Sequence, residues 1–202
     1  NGTYWSSGWG TGMDNTPRVP EGYNQIFSNG HMEWLDANLQ QMLVNESLLQ
    51  IGFYIERWQE IEEVEDENRF LKKHINDFMW NDEEGFLFDR YADGSLGTAK
   101  GIYAYWALQT DVLDKERLDR FVAHLSDSTE FDRPHRVPSL SADHRKYNAL
   151  GRYWQGGVWP GANYMVIDGL WHKGYRDVAQ RIAENHYAAV FEVWKNTGTF
   201  WE

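Results

Sequence analysis

The chain has 202 residues, enough for one domain with a substantial core. Its formal net charge of −12 argues against nucleic acid or an anionic membrane as partner, because both call for a basic surface. No apolar run approaches the roughly 20 residues of a membrane span, no signal-peptide pattern is visible, and the absence of cysteine removes disulfide and thiolate chemistry. The expectation is a soluble protein, with a cytoplasmic location favoured. The chain starts at Asn1 without an initiator Met and stops at Glu202 inside a motif-like segment, so both ends read as cut.

Residues 1–33, rich in Gly, Asn, Ser, Thr and Trp, have no helical period and read as a loop. A helix is predicted from about Asp36 to Arg57, with Leu39, Met42, Leu43, Leu49, Phe53 and Ile55 forming its apolar face. The acidic run 59–67 reads as a solvated turn and helix start. A second helix follows to about Trp80, its inward residues being Phe70, Leu71, Ile75, Phe78 and Met79. Alternation in Phe86-Leu87-Phe88 and the Asp93-Gly94 pair predict a short β-hairpin over 81–94. Further helices are expected at about 102–110, 115–126, 163–173 and 176–194. The long stretch 127–162 between them carries too many Trp, Tyr and Gly to be disordered. Six helices in pairs, without strand–helix alternation, predict an all-α domain of helical hairpins laid side by side.

Chemistry is expected in three segments outside the helices. The chain is 16% aromatic, with 11 Trp and 11 Tyr, and flat rings suit both a sugar cleft and an aromatic core. The first segment, Tyr4–Arg18, has glycines at 8, 10 and 12 where backbone can approach a ligand, with Trp9 able to stack, Asp14 able to carry a proton, and Arg18 able to pair with a carboxylate. It also reads as a Gly-rich loop whose Asp caps a turn. The second, Arg152–Tyr164, sets Tyr153, Trp154, Gln155 and Trp159 around a Gly pair; core packing explains much of it, and Asn163 reads as an N-cap. The third, Asn196–Glu202, ends in a carboxylate beside two aromatics. Hydrolysis of a glycosidic bond requires two carboxyl groups flanking it, and Asp14 and Glu202 are the pair that these segments offer.

Gly12-Met13-Asp14-Asn15-Thr16-Pro17-Arg18 resembles the acid-bearing motif of glycoside hydrolase family 63 and its relatives, the group that holds processing α-glucosidase I and mannosylglycerate and glucosylglycerate hydrolases. Tyr153-Trp154-Gln155-Gly156-Gly157-Val158-Trp159-Pro160 with Asn163-Tyr164 is similar to that family's Tyr-Trp-Arg-Gly-Pro-Val-Trp-Pro-x-x-Asn-Tyr. Val137–Ser141 and Thr197–Glu202 also resemble family segments. The resemblance implies an (α/α)6 barrel and an inverting reaction, with Asp14 as general acid and Glu202 as general base. It implies a sugar pocket that includes Trp9, Gly12, Tyr153, Trp154, Gln155 and Trp159, with Trp34 and Asp36 as weaker members, and it assigns Arg18 to buttressing the acid loop. The sequence departs from the pattern at Gln155, where relatives often have Arg, and at Gly157, where they have Pro. Six helices make half of a twelve-helix barrel, so residues 1–202 are expected to be part of one catalytic domain that a second polypeptide would complete. A small carbohydrate is the expected partner, and no cofactor is implied.

Rival readings are a trehalase-like hydrolase and a non-catalytic sugar-binding fragment. No pair among the seven His has ligand spacing, so no metal site is assigned. Asp82, Glu84, Asp89 and Asp93 could surround Ca2+, but they fail the EF-hand pattern and read better as a solvated turn.

Overall fold

The computed structural model describes residues 2–200. It is mostly helical, with one short helical turn α1 (Gly8–Thr11) and the helices α2 (Leu35–Tyr54), α3 (Trp58–Phe78), α4 (Lys115–Ala123), α5 (Pro160–His172) and α6 (Arg176–Thr197). A 3-10 helix, Ile102–Gln109, takes the place of the helix expected there, and a second 3-10 turn, His124–Ser126, ends α4. The strands β1 (Trp80–Asn81) and β2 (Phe86–Leu87) pair antiparallel as Trp80 with Leu87 and Asn81 with Phe86.

The centre of the molecule is the 3-10 helix. Its sequence Ile-Tyr-Ala-Tyr-Trp-Ala-Leu-Gln is apolar on every side, and six of its eight residues are buried. A helix without a polar face has to be surrounded. α2 and α5 flank it, α3 packs back on α2, and α6 packs back on α5. At Gly169, α5 approaches so closely that a Cβ would overlap Leu108. α4 and the hairpin add an aromatic cluster, with Tyr105 and Phe121 centroids 4.7 Å apart and Phe86 4.8 Å from Phe121. Part of the aromatic content is therefore core. Three hairpin layers side by side make half of an (α/α)6-type barrel.

Element boundaries depart from expectation where local chemistry and tertiary packing compete. The acidic run 59–67 lies inside α3. Glutamate is a good helix former, and acidic residues near a helix N-terminus are stabilised by its dipole. Phe53, Ile55, Phe70 and Phe78 are exposed, whereas Leu39, Met42, Leu71, Ile75 and Met79 are buried. α5 begins at Pro160, a residue suited to a first helical position, so Asn163 is not a cap but a buried residue of the first turn. Among the described residues, no helix is long and apolar enough to cross a membrane.

Candidate active site

The acid segment is anchored by what it buries. Met13, Thr16, Pro17 and Arg18 face inward and leave Asp14 half-exposed between them. Gly8 is required one turn earlier: a Cβ there would collide with the carbonyl oxygens of Gln25 and Asp14. Gly12 then closes α1 in the left-handed conformation, φ 71°, and releases the chain toward Met13. Among the described residues the Asp14 carboxyl has no hydrogen-bond or ion-pair partner.

Beneath it lies a buried charge cage. Arg18 Nη1 and Nη2 donate to Asp36 at 2.9 and 2.8 Å, and Arg18 Nε and Nη2 donate to Asp89 at 2.9 and 2.7 Å. Tyr103 and Trp34 sandwich the guanidinium, their ring centroids 3.6 and 4.3 Å from Cζ. Burial works against the charge, but the Asp36 and Asp89 carboxylates hold the Arg18 pKa well above its ordinary value. Asp89 also accepts from the Leu35 N–H at 2.9 Å and so ties the start of α2 to the cage. The loop at 12–18, the N-terminus of α2, the segment after β2 and the 3-10 helix are thereby joined at one side chain.

Trp34 and Asp36, the weaker members of the expected pocket, are both 1% exposed in this half-barrel, and Asp36 gives its two oxygens to Arg18. Trp34 turns its indole N–H to the Asn29 carbonyl at 2.9 Å. Their place is beneath the acid loop.

The second segment folds against the first. Trp154 and Trp159 stack with centroids 4.3 Å apart and planes 8° from parallel, and Tyr153 meets Trp159 edge-on at 5.2 Å. Trp154 is buried, Tyr153 is exposed, and Gln155 and Trp159 are half-buried. Arg152 and Tyr153 have positive φ, 41° and 66°, a conformation non-glycine residues hold only under surrounding constraint. One constraint comes from Ser139, whose N–H donates to Gly157 O at 2.8 Å and whose hydroxyl accepts from Gly156 N at 3.1 Å. Another is Asn163, whose amide bridges the Val137 backbone and donates to Trp159 O at 3.0 Å. A third is Asn15, whose side chain accepts from Trp154 N at 2.8 Å and donates to Arg152 O at 2.9 Å.

Two clefts border this assembly. The smaller, about 380 Å³, is lined by Met13, Trp106, Gln109, Trp154, Tyr164 and Asp168, and so opens beside the acid loop. The buried Trp154 indole N–H has no partner among the described residues. The larger, about 720 Å³, runs between Tyr147, Gly156 and Gly157 on one side and His186, Val190 and Asn196 of α6 on the other. Trp9 stands apart, 68% exposed, with its ring 6.1 Å from Phe27. Glu202 and Trp201 lie outside the described residues. The acids at 82–94 serve protein partners: Asp82 pairs with Arg120, Glu84 with Lys100, Asp89 with Arg18, and Asp93 accepts from Ser95. Among the described residues, no three His, Asp or Glu cluster as metal ligands.

Over residues 1–202 the chain matches the family model described as a mannosylglycerate hydrolase MGH1-like glycoside hydrolase domain. The chain belongs to this glycoside hydrolase family. Within the same group, the mannosylglycerate hydrolase of Rubrobacter radiotolerans is 31% identical over 113 residues, covering 54% of this chain and 26% of that protein. A "Probable mannosyl-oligosaccharide glucosidase" of Schizosaccharomyces pombe is 22% identical over 208 residues, covering 95% of this chain and 25% of that protein. The crystal structure of a GH63 mannosylglycerate hydrolase from Thermus thermophilus in complex with glucose superposes with a TM-score of 0.77 at 20% identity, covering 92% of this chain and 53% of that one. The MGH1-like chain thus spans about a quarter of these curated relatives' length and about half of the Thermus structure. That proportion fits the half-barrel of three hairpin layers.

Sequence reasoning did not find Asn15, Ser139 or Asp89 as parts of this assembly. Asn15, Ser139 and Asn163 were visible only as members of motifs, and an acid ending the apolar Phe86-Leu87-Phe88 run was the one hint for Asp89.

Proposed function

We propose that residues 1–202 are the acid- and base-bearing half of an inverting α-glycoside hydrolase domain, with Asp14 as general acid and Glu202 as general base. The observation that carries this reading is the Asp14 carboxyl itself. It has no protein partner among the described residues, yet the loop that bears it is pinned from below by the Arg18 cage and from the side by the Tyr153–Trp159 segment. A general acid needs a fixed position and a proton free to move, and partnerless carboxyls on rigid loops provide both.

In this reading Trp9, Gly12, Tyr153, Trp154, Gln155 and Trp159 surround the sugar, and the Trp154 indole N–H is a donor for a ring hydroxyl. The base holds a water on the opposite face, which requires the two carboxyls about 6.5–9.5 Å apart. Glucosides and mannosylglycerate are the substrate class that the named relatives support, and the family resemblance adds glucosylglycerate. The remaining hairpins of the barrel come from further polypeptide. Support for that lies in two exposed apolar stripes on the first and last hairpins: Val44, Leu48 and Ile51 on α2, and Tyr187, Phe191 and Trp194 on α6.

The test is hydrolysis of α-D-mannosyl-D-glycerate and α-D-glucosyl-D-glycerate by the intact protein, with the first-formed anomer read by proton NMR. Initial release of the β-sugar, and loss of about 10²–10⁴-fold in Asp14→Asn and Glu202→Gln, are the expected results. An α-sugar as first product, or an Asp14→Asn variant at wild-type rate, overturns the assignment.

A further inference from the structure

We infer that Asn15 is the positioning residue that aligns the acid, by locking the Asp14 loop to the aromatic loop 152–155. The inference rests on the hydrolase reading above. Three hydrogen bonds converge on this one residue from a segment nearly 140 positions away. Its Oδ1 accepts from Trp154 N at 2.8 Å, its Nδ2 donates to Arg152 O at 2.9 Å, and its own carbonyl accepts from Gln155 Nε2 at 3.3 Å. The side chain thus satisfies one backbone donor and one backbone acceptor of the same strained turn, that of the left-handed Arg152 and Tyr153. An amide does this and neither a carboxylate nor an alkyl group can, since the amide carries a neutral donor and a neutral acceptor on separate atoms, whereas a carboxylate only accepts and an alkyl group does neither.

Asn15 is covalently next to Asp14, so the bond that shapes the sugar-side loop also fixes where the acid points. Ser139 and Asn163 hold that loop's other end, through Gly156, Gly157 and Trp159, and among the described residues make no hydrogen bond to the acid loop. Asn15 is the link between the two motifs. With its side chain gone, the loops keep their own supports and the Gln155 bond to the residue-15 carbonyl but lose the two side-chain bonds that set their register, and displacement of a catalytic group by about 1 Å costs about 10²-fold in rate.

The experiment compares Asn15→Leu and Asn15→Asp with wild type in the intact protein, on two probes. One is the α-glycosyl glycerate that the wild type cleaves, whose alkoxide leaving group needs full protonation. The other is the matching α-glycosyl fluoride, whose leaving group needs little. Hydrogen exchange at the Trp154 amide is read in parallel. Asn15→Leu is expected to lose about 10²-fold in kcat/KM on the glycerate glycoside, mostly in kcat, but less than about 10-fold on the fluoride. Trp154 amide protection is lost in the same variant. Asn15→Asp keeps the acceptor for Trp154 and is expected to restore that protection and part of the rate. Equal losses on both probes, an unchanged rate, or unchanged Trp154 protection overturns the assignment. A wild type inert toward both probes refutes the hydrolase reading instead, and the acid-positioning role with it, even where Trp154 protection depends on Asn15.

Discussion

Replacing Arg18 by Met is the sharpest perturbation of this structure. The change keeps most of the side chain's volume between Trp34 and Tyr103 but removes the charge, stranding the carboxylates of Asp36 and Asp89 in a site where all three side chains are 2% exposed or less. Breaking a buried pair by deleting one partner costs about 3–5 kcal/mol, because the surviving charge can neither solvate nor pair. In a domain of this size 1 kcal/mol moves the melting temperature by about 2–4 °C, so the drop is on the order of 6–20 °C. Arg18→Lys keeps the charge but cannot span both carboxylates with a planar fork, and falls between wild type and Met. Urea unfolding at pH 7 is the assay. A loss below about 1 kcal/mol, or an Arg18→Lys variant no more stable than Arg18→Met, refutes the view that this cage is an uncompensated-charge problem solved by Arg18.

Two further outcomes follow from the geometry. Burial lowers the pKa of His144 and of the half-buried His186 below the ordinary histidine value. The unfolded chain therefore binds more protons than the folded one as pH falls through about 6.5, so their contribution to stability is full above that pH and lost below it; a stability titration from pH 8 to 5 shows the decline, and His186→Asn makes it shallower. Asn163→Ala leaves the buried Val137 N–H and C=O without their partner and is expected to cost about 1–3 kcal/mol in denaturant unfolding, with a cost under about 0.5 kcal/mol counting against the bridge.

The architecture was legible wherever apolar spacing had a single meaning. α4 carries one apolar stripe and one charged face, and Leu118, Phe121 and Val122 are buried as that pattern requires; in α3 Leu71 and Ile75 are buried but Phe70 and Phe78, expected inward, are exposed. α2 was harder, because it is apolar on two sides: Leu39 and Met42 pack on the core, whereas Val44, Leu48 and Ile51 lie in the open. Periodicity identifies such a helix without saying which stripe faces the core. The motif segments were visible as composition, but the bonds that make them a unit were not. Arg18 meets Asp89 across 71 positions and Asn15 meets Trp154 across 139, and no local rule links residues so far apart. The same limit hid the partner of Asp36, which the resemblance named only as a weaker pocket member and which pairs with Arg18 across 18 positions.

Why the acid loop needs so much support follows from what it carries. An ordinary surface loop is held by its own turn hydrogen bonds and moves accordingly. This one buries Met13, Thr16, Pro17 and Arg18, which anchor the chain on both sides of the half-exposed Asp14 and Asn15. The charge cage sits below, the aromatic turn beside, and each is fastened to the 3-10 helix: the cage through Tyr103, and the turn through Ser139, whose carbonyl accepts from Ile102 N at 3.0 Å. This largely buried, mostly apolar 3-10 helix is therefore also the common foundation of both motifs. A helix buried over most of its surface cannot shift without disturbing its neighbours, and in the proposed reading of Asp14 as general acid this makes it the right part of the fold on which to mount a carboxyl whose position matters to within about an ångström.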